Sequence, residues 1–172
     1  MHSRRDGQLP RAIVTWTHPG CSAMTDTTGR LRNRREAVVR EHMESEDRRE
    51  FDATIATFAH PRYEIIPTGE IFDGEAAVRG HFAASRAAFP DQRNELRALH
   101  HADDAVIVEF DLLGTHLGPL RGVPPTGKAF RCPMTAFLVF ESNRIVCEHS
   151  ATILREARER TGPKMHRLLR RC

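Results

Sequence analysis

Residues 114–149 read GTHLGPLRGVPPTGKAFRCPMTAFLVFESNRIVCEH. The order is strand, Gly/Pro-rich connection, long strand, tight turn and strand. Within it, 122–127 (GVPPTG) is stiff and poor in backbone donors, because proline fixes φ and lacks an N–H while glycine takes the turn geometries. The segment predicts a loop closing one end of a bent sheet. Histidines at inward-facing positions on its first and last strands would place polar points inside an apolar cup. A cup of that kind suits a small molecule.

Period-two alternation assigns the faces, since neighbouring side chains on a strand point to opposite sides. Across 104–116 the apolar positions are Val106, Val108, Phe110 and Leu112, with Glu109 and Asp111 opposed to them, and His116 has the parity of the apolar set. On the preceding strand Leu96, Ala98 and His100 share one face and Arg93, Glu95 and Arg97 the other. On the last strand Ile145, Cys147 and His149 alternate with Arg144, Val146 and Glu148. Unbroken alternation therefore turns His100, His116 and His149 inward. The strand at 128–140 is apolar on both sides apart from Arg131 and Thr135, which is the pattern of a strand covered on both faces and points to a homodimer formed through the sheet.

Upstream, Val39, Met43, Phe51, Ile55 and Phe58 recur at helical spacing over 34–60, and Pro61 stops the run. The charged cluster SEDRRE (45–50) is a place for it to divide into two helices. Short strands follow at 63–67 and 70–72. Asp73 then reads as the N-cap of a helix carrying Val78, Phe82, Ser85 and Phe89 on one side.

The segment GTHLGPLRGVPPTGK, the paired pieces YEIIP (63–67) and EIFDG (70–74), and the hydrophobic strand before Arg144-Ile-Val resemble a SnoaL-like polyketide cyclase domain of the nuclear-transport-factor-2-like superfamily. The resemblance runs from about residue 34 to about residue 154. It implies an α+β fold: a cone-shaped barrel of strongly curved, mainly antiparallel sheet with N-terminal helices packed against it. It also implies cyclase or isomerase chemistry that needs neither metal nor cofactor. In that family the last strand continues past the glutamate to an aspartate that moves a proton. Here Glu148-His149-Ser150 passes directly into Ala151-Thr152, and no aspartate follows His149.

A chain of 172 residues with 40% hydrophobic side chains suits one domain at 34–154 with extensions at 1–33 and 155–172. The net charge of +3 is carried by those extensions. Residues 155–172 hold seven Arg and Lys against two Glu, and the first 23 residues three Arg against one Asp, so acids exceed bases in between. A nucleic-acid partner is not expected, because the basic stripe it needs would stand on the domain itself. Cys21, Cys132, Cys147 and Cys172 show no paired spacing, which suits a reduced, cytoplasmic protein. No run approaches the ~20 apolar residues of a membrane span. The first 23 residues read as a poorly ordered extension ahead of a natural start at Met24, and 155–172 as a basic, partly helical tail.

His116 is either a general base near working pH or a histidine satisfied by a backbone carbonyl. His149 has the same two readings. Glu148 faces outward by parity, although a one-residue bulge would swing it inside. His100 stands close to a strand end, where solvation is ordinary. Arg131 either holds an anionic oxygen or joins an interface ion pair. Phe58, Tyr63, Phe82, Phe110 and Phe137 are candidate walls for the ligand as well as candidate core. A metal held by His100, His116 and His149 has only parity behind it, and no metal is expected.

Two functions follow. In one, a cyclase or isomerase of this family applies acid–base chemistry to a hydrophobic carbonyl substrate, with His116, His149 or Glu148 moving the proton. In the other, the same cone binds a small hydrophobic ligand without turning it over. A carboxylate inside the cup separates them.

Overall fold

In the computed structural model, secondary structure is described for residues 20–152 and side chains for 27–151. Helix α1 (Gly20–Arg48) begins well before Arg34, so 20–33 are helical where an extension was expected. The charged cluster does divide the run. Arg49 takes a left-handed φ of 64°, and the Glu50 N–H reaches back to the Ser45 carbonyl at 2.8 Å, the closure that ends a helix when one residue turns left-handed. Helix α2 (Phe51–Ala56) follows. Strands β1 (Arg62–Ile65) and β2 (Glu70–Asp73) form a short antiparallel pair. Helix α3 (Glu75–Ala88) starts after Gly74. Asp73 is not its cap; its carboxylate is engaged by His60 and Arg62 instead.

Strands β3 (Arg93–His101), β4 (Ala105–Thr115), β5 (Ala129–Glu141) and β6 (Arg144–Thr152) complete one curved, open sheet in the order β2-β1-β6-β5-β4-β3. Only β1 and β6 run parallel. The basic segment at 155–172 lies outside the described residues. Among the described residues, no helix is long and apolar enough to cross a membrane.

The main core gathers Val39 of α1, Phe58, Val78 and Phe82 of α3, Val106 and Val108 of β4, Leu138 of β5 and Ile145 of β6, each at 1% exposure or less. Burying a side chain of this kind stabilises by about 1.5–3 kcal/mol. A second cluster of Ala88, Phe89, Phe130 and Cys132 seals the other end of the sheet. There the chain leaving β4 is pinned to α3, because Leu117 and Gly118 both donate to the Ala88 carbonyl at 3.0 Å. A Cβ on Gly118 would fall 1.9 Å from the Ala87 carbonyl oxygen. Gly118→Ala is therefore expected to cost about 1–3 kcal/mol through overpacking, read as a lower thermal midpoint; an unchanged midpoint would show that the loop has another place to go.

Two bulges decide which side chains face inward. In β3, Leu96 pairs with Phe110 but Ala98 pairs with Glu109, so Arg97 is an extra residue. In β6, Ile145 pairs with Phe140 but Cys147 pairs with Val139, so Val146 is extra. An extra residue reverses the parity of everything beyond it. The cause in β6 is visible on its other side. Ile145 donates to the Thr57 carbonyl and accepts from Ala59, fixing that end of the strand to the chain after α2, while Tyr63, Glu64 and Ile65 set the register from Glu148 to Ser150.

Candidate active site

A cavity of about 620 Å³ lies between α3 and the concave face of the sheet. Its walls are mainly apolar: Phe72, Phe89, Phe110, Leu112, Phe130, Met134 and Leu138 among them. On α3 the exposed-side wall is made by Ala77, Gly80, Ala84 and Ala87, whose small side chains leave the room. Pro119, Leu120 and Arg121 of the loop after β4 stand at its rim, with Arg121 paired to Glu70. The rim is therefore made by 119–121, just ahead of the Gly/Pro segment, and 122–127 itself does not line the cavity.

The polar groups converge in one region. Glu148, brought inward by the Val146 bulge, is 7% exposed and lines the cavity. Its Oε2 lies 3.1 Å from His42 Nε2, its Oε1 accepts from the Ser150 hydroxyl at 2.7 Å, and the Tyr63 hydroxyl also bonds to it. Tyr63 Oη in turn lies 2.8 Å from His42 Nε2. His42 and Glu46 are four residues apart on α1, so both reach the cavity from one helix face. Glu46 is held by Arg86 at 3.1 Å. His81 of α3 also lines the cavity, its ring 4.4 Å from that of Phe72.

The two carboxylates are pushed in opposite directions. Burial, the largest single influence, favours protonation of Glu148, but the bonds from His42, Ser150 and Tyr63 outweigh it and hold the carboxyl below its usual range. Burial dominates at Glu46 and raises it despite Arg86, with the Glu148 charge adding to the rise. Burial likewise lowers His81 and, together with the Glu148 charge, raises Tyr63 well above an ordinary phenol. Paired groups with environments that separate their titrations are a usual arrangement for acid–base work.

A lowered carboxyl makes a pH-dependent contribution to stability that is present above the unfolded-state value, about 4.3 for Glu, and is lost as pH falls through the folded-state value. The pH-dependent gap in thermal midpoint between the wild type and Glu148→Gln is accordingly expected to narrow as pH is taken from neutrality to below about 4. A gap that widens on acidification would reverse the sign assigned to Glu148.

The other sequence candidates are dispersed. His149 is on the outer face, its Nδ1 3.0 Å from Glu64; the Val146 bulge exchanges it with Glu148. His100 is also outside, bonded to Glu109 at 3.1 Å, because the Arg97 bulge reverses β3. His116 does keep the parity of the apolar set and is fully buried, but it lies behind Phe89 at a ring distance of 5.5 Å and does not line the cavity. Its Nδ1 bonds to Thr126 at 3.1 Å and its carbonyl accepts from Thr126 and Gly127, which braces the loop. Arg131 is on the outer face, shared between Asp111 and Glu95 at 2.7 Å each. Phe137 is exposed on that face. Phe58 and Phe82 are core residues that support Tyr63 from behind, whereas Tyr63 and Phe110 do line the cavity.

His42, Glu46 and His81 were not anticipated. The available signal was helical rather than strand-like: polar residues at 42 and 46 interrupt an α1 face marked by Val39 and Met43, and His81 adjoins Phe82 on α3.

Among the described residues, Glu64, Cys147 and His149 bring ligand atoms within 4.8 Å of one another on the outer face. Arg62 donates to Glu64 at 2.6 Å and hydrogen-bonds Cys147, so a fixed guanidinium already neutralises that trio. Burial pushes the Cys147 thiol up to about 11, away from the thiolate that a metal would bind.

Comparison with known proteins agrees with this fold. Similar structures include a candidate SnoaL-like polyketide cyclase from Jannaschia sp. (18% identity, TM-score 0.65, covering 71% of this chain and 87% of that one). IdmH, a candidate polyketide cyclase from Streptomyces antibioticus, gives 20% identity and a TM-score of 0.59 over 69% of this chain and 91% of its own. An NTF2-like protein of unknown function from Burkholderia pseudomallei gives 18% and 0.62 over 78% and 96%. At these identities the likeness is one of fold. No curated protein matches the chain in sequence. The model of the SnoaL-like domain matches residues 39–148, a span that includes both His42 and Glu148, and the chain belongs to the SnoaL-like domain family.

Proposed function

We propose that the protein is a cyclase or isomerase acting on a hydrophobic carbonyl compound of polyketide type, without metal or cofactor. The observation that carries this reading is the carboxylate of Glu148 set into an otherwise apolar cavity beside an imidazole. Glu148 takes the proton from a carbon next to a carbonyl. The electron pair of the broken C–H bond moves onto the carbonyl oxygen, which accepts a hydrogen bond from neutral His81; the enolate carbon then attacks a second carbonyl and the ring closes. Glu148 here takes over the role that the resemblance assigns to an aspartate farther along the last strand. Carboxylates at the cavity wall are Glu46, Glu70 and Glu148 among the described residues.

The test is product analysis. Aromatic polyketide ketones, steroid ketones and terpenoid epoxides are incubated with wild type and Glu148→Gln, and conversion of a ketone by the first alone is expected. A ligand that raises the thermal midpoint yet is never converted favours the second reading, a binding protein; the three donors on Glu148, which weaken it as a base, are what speak for that alternative.

The same proposal includes a second copy of this chain on the outer sheet face, where Asp111 is fully buried beneath Arg97 and Arg131 and Phe137 lies open. It also includes a reducing, cytoplasmic setting, which suits the free thiols Cys132 and Cys147. Sedimentation analysis is expected to give a dimer that Phe137→Glu weakens; a wild-type monomer would remove the dimer from the proposal.

A further inference from the structure

The hydrogen bonds around His42 determine how many protons the site holds. Thr57 Oγ1 lies 2.6 Å from the Thr54 carbonyl, an atom that can only accept, so the single hydroxyl proton of Thr57 is committed there. The same oxygen lies 2.9 Å from His42 Nδ1. With its own proton spent, Thr57 can only accept from the ring, and His42 Nδ1 must carry a hydrogen. A neutral imidazole would then present a bare lone pair at Nε2. Nε2 faces Glu148 Oε2 at 3.1 Å and Tyr63 Oη at 2.8 Å.

Two placements satisfy that geometry. If Glu148 is the protonated partner, its O–H donates to Nε2 and the bonds it accepts from Ser150 and Tyr63 are those of a neutral acid. If Nε2 bears the hydrogen, it donates toward Glu148 and Tyr63, Tyr63 donates to Glu148, and Ser150 donates to the other carboxylate oxygen. Every donor has an acceptor in either placement, but in the second the bonds that converge on the carboxylate from His42, Ser150 and Tyr63 are charge-assisted and therefore the stronger set.

We infer that Thr57 is a positioning residue that locks His42 with Nδ1–H, so that His42 and Glu148 enter the reaction as an imidazolium–carboxylate pair carrying one transferable proton. This rests on the reading of Glu148 as the base and extends it by naming the acid. Glu148 accepts the proton leaving carbon, and the His42 Nε2–H is the one given to the alkoxide formed at ring closure, leaving neutral His42 beside protonated Glu148. Transfer of that proton from Glu148 to Nε2 restores the pair, and no proton is gained or lost over the cycle. The remaining ionisable groups around the pair are Glu46 on α1, Tyr63 on β1, and His81 and Arg86 on α3. Arg86 is already paired with Glu46.

The test is nitrogen NMR of the full chain labelled at histidine, with the His42 signals assigned by their loss in His42→Asn. Both ring nitrogens of His42 are expected to be protonated at neutral pH in the wild type. Thr57→Val, which removes the acceptor but keeps the shape, is expected to abolish that pattern and to shift the pH profile of kcat, with a smaller change in KM. A singly protonated His42 in the wild type overturns the inference and leaves the Glu148→Gln activity result to judge the proposed reaction separately. A Thr57→Val protein that keeps the doubly protonated ring and the wild-type pH profile overturns it as well, whereas Thr57→Ser, which restores the hydroxyl, is expected to behave as wild type.

Discussion

Glu148→Gln is expected to lower kcat/KM by about 10²–10⁴-fold, the usual worth of a positioned general base, on whichever carbonyl substrate the wild type converts. The substitution keeps the side chain's length and its capacity to accept from Ser150 or Tyr63, so a large loss cannot be put down to an emptied space. His149→Ala and His116→Ala form the contrast. His149 stands on the opposite face of the sheet against Glu64, and His116 is separated from the cavity by Phe89. His149→Ala is expected to stay within about threefold of wild type, because a substitution at a half-buried position on the face away from the cavity usually changes little. If His149→Ala were as damaging as Glu148→Gln, the face assigned to both residues would be wrong.

The second large effect concerns stability. Phe82 is 1% exposed, stacks on Phe51 at 4.8 Å and meets Tyr63 edge-on at 5.6 Å, so one ring joins α3, α2 and β1. Phe82→Ala is expected to cost about 3–5 kcal/mol, the transfer loss plus the cavity left behind, and to lower the thermal midpoint by on the order of 10 °C. Because Tyr63 leans on that ring, ligand affinity should fall too. Phe137→Ala, an exposed aromatic on the outer face, is the control and should leave the monomer's own stability nearly unchanged. A Phe82→Ala midpoint within a degree or two of wild type would mean that the packing described around Tyr63 does not support the site.

The fold was legible because its signals are redundant. The apolar stripe of α1 and α2, the stop at Pro61, the even positions of β4 and the Gly/Pro connection between β4 and β5 are all consistent with the same α+β architecture. The site was legible only in part. Alternation placed Val106, Val108, Phe110 and Leu112 correctly and put His116 inside, but its power ends at the first inserted residue. Arg97 and Val146 are such residues, and nothing in their identity marks them as bulges; the register is imposed by the pairing of β3 with β4 and by the hold of Thr57 and Ala59 on Ile145. The outward turn of His100 and His149 follows from that, as does the inward turn of Glu148. His42, Glu46 and His81 arrive from helices, so no reading of strand parity could reach them.

The step assigned to inward-facing Glu148 is the removal of a proton from carbon next to a carbonyl. It is tested most directly by incubating the protein with an aromatic 1,3-dicarbonyl compound in heavy water and following deuterium uptake at the carbon between the carbonyls. Uptake is expected to be accelerated by the wild type and by His149→Ala, and to fall to the uncatalysed rate with Glu148→Gln; acceleration that survives in Glu148→Gln, or that the wild type fails to produce, would contradict the account.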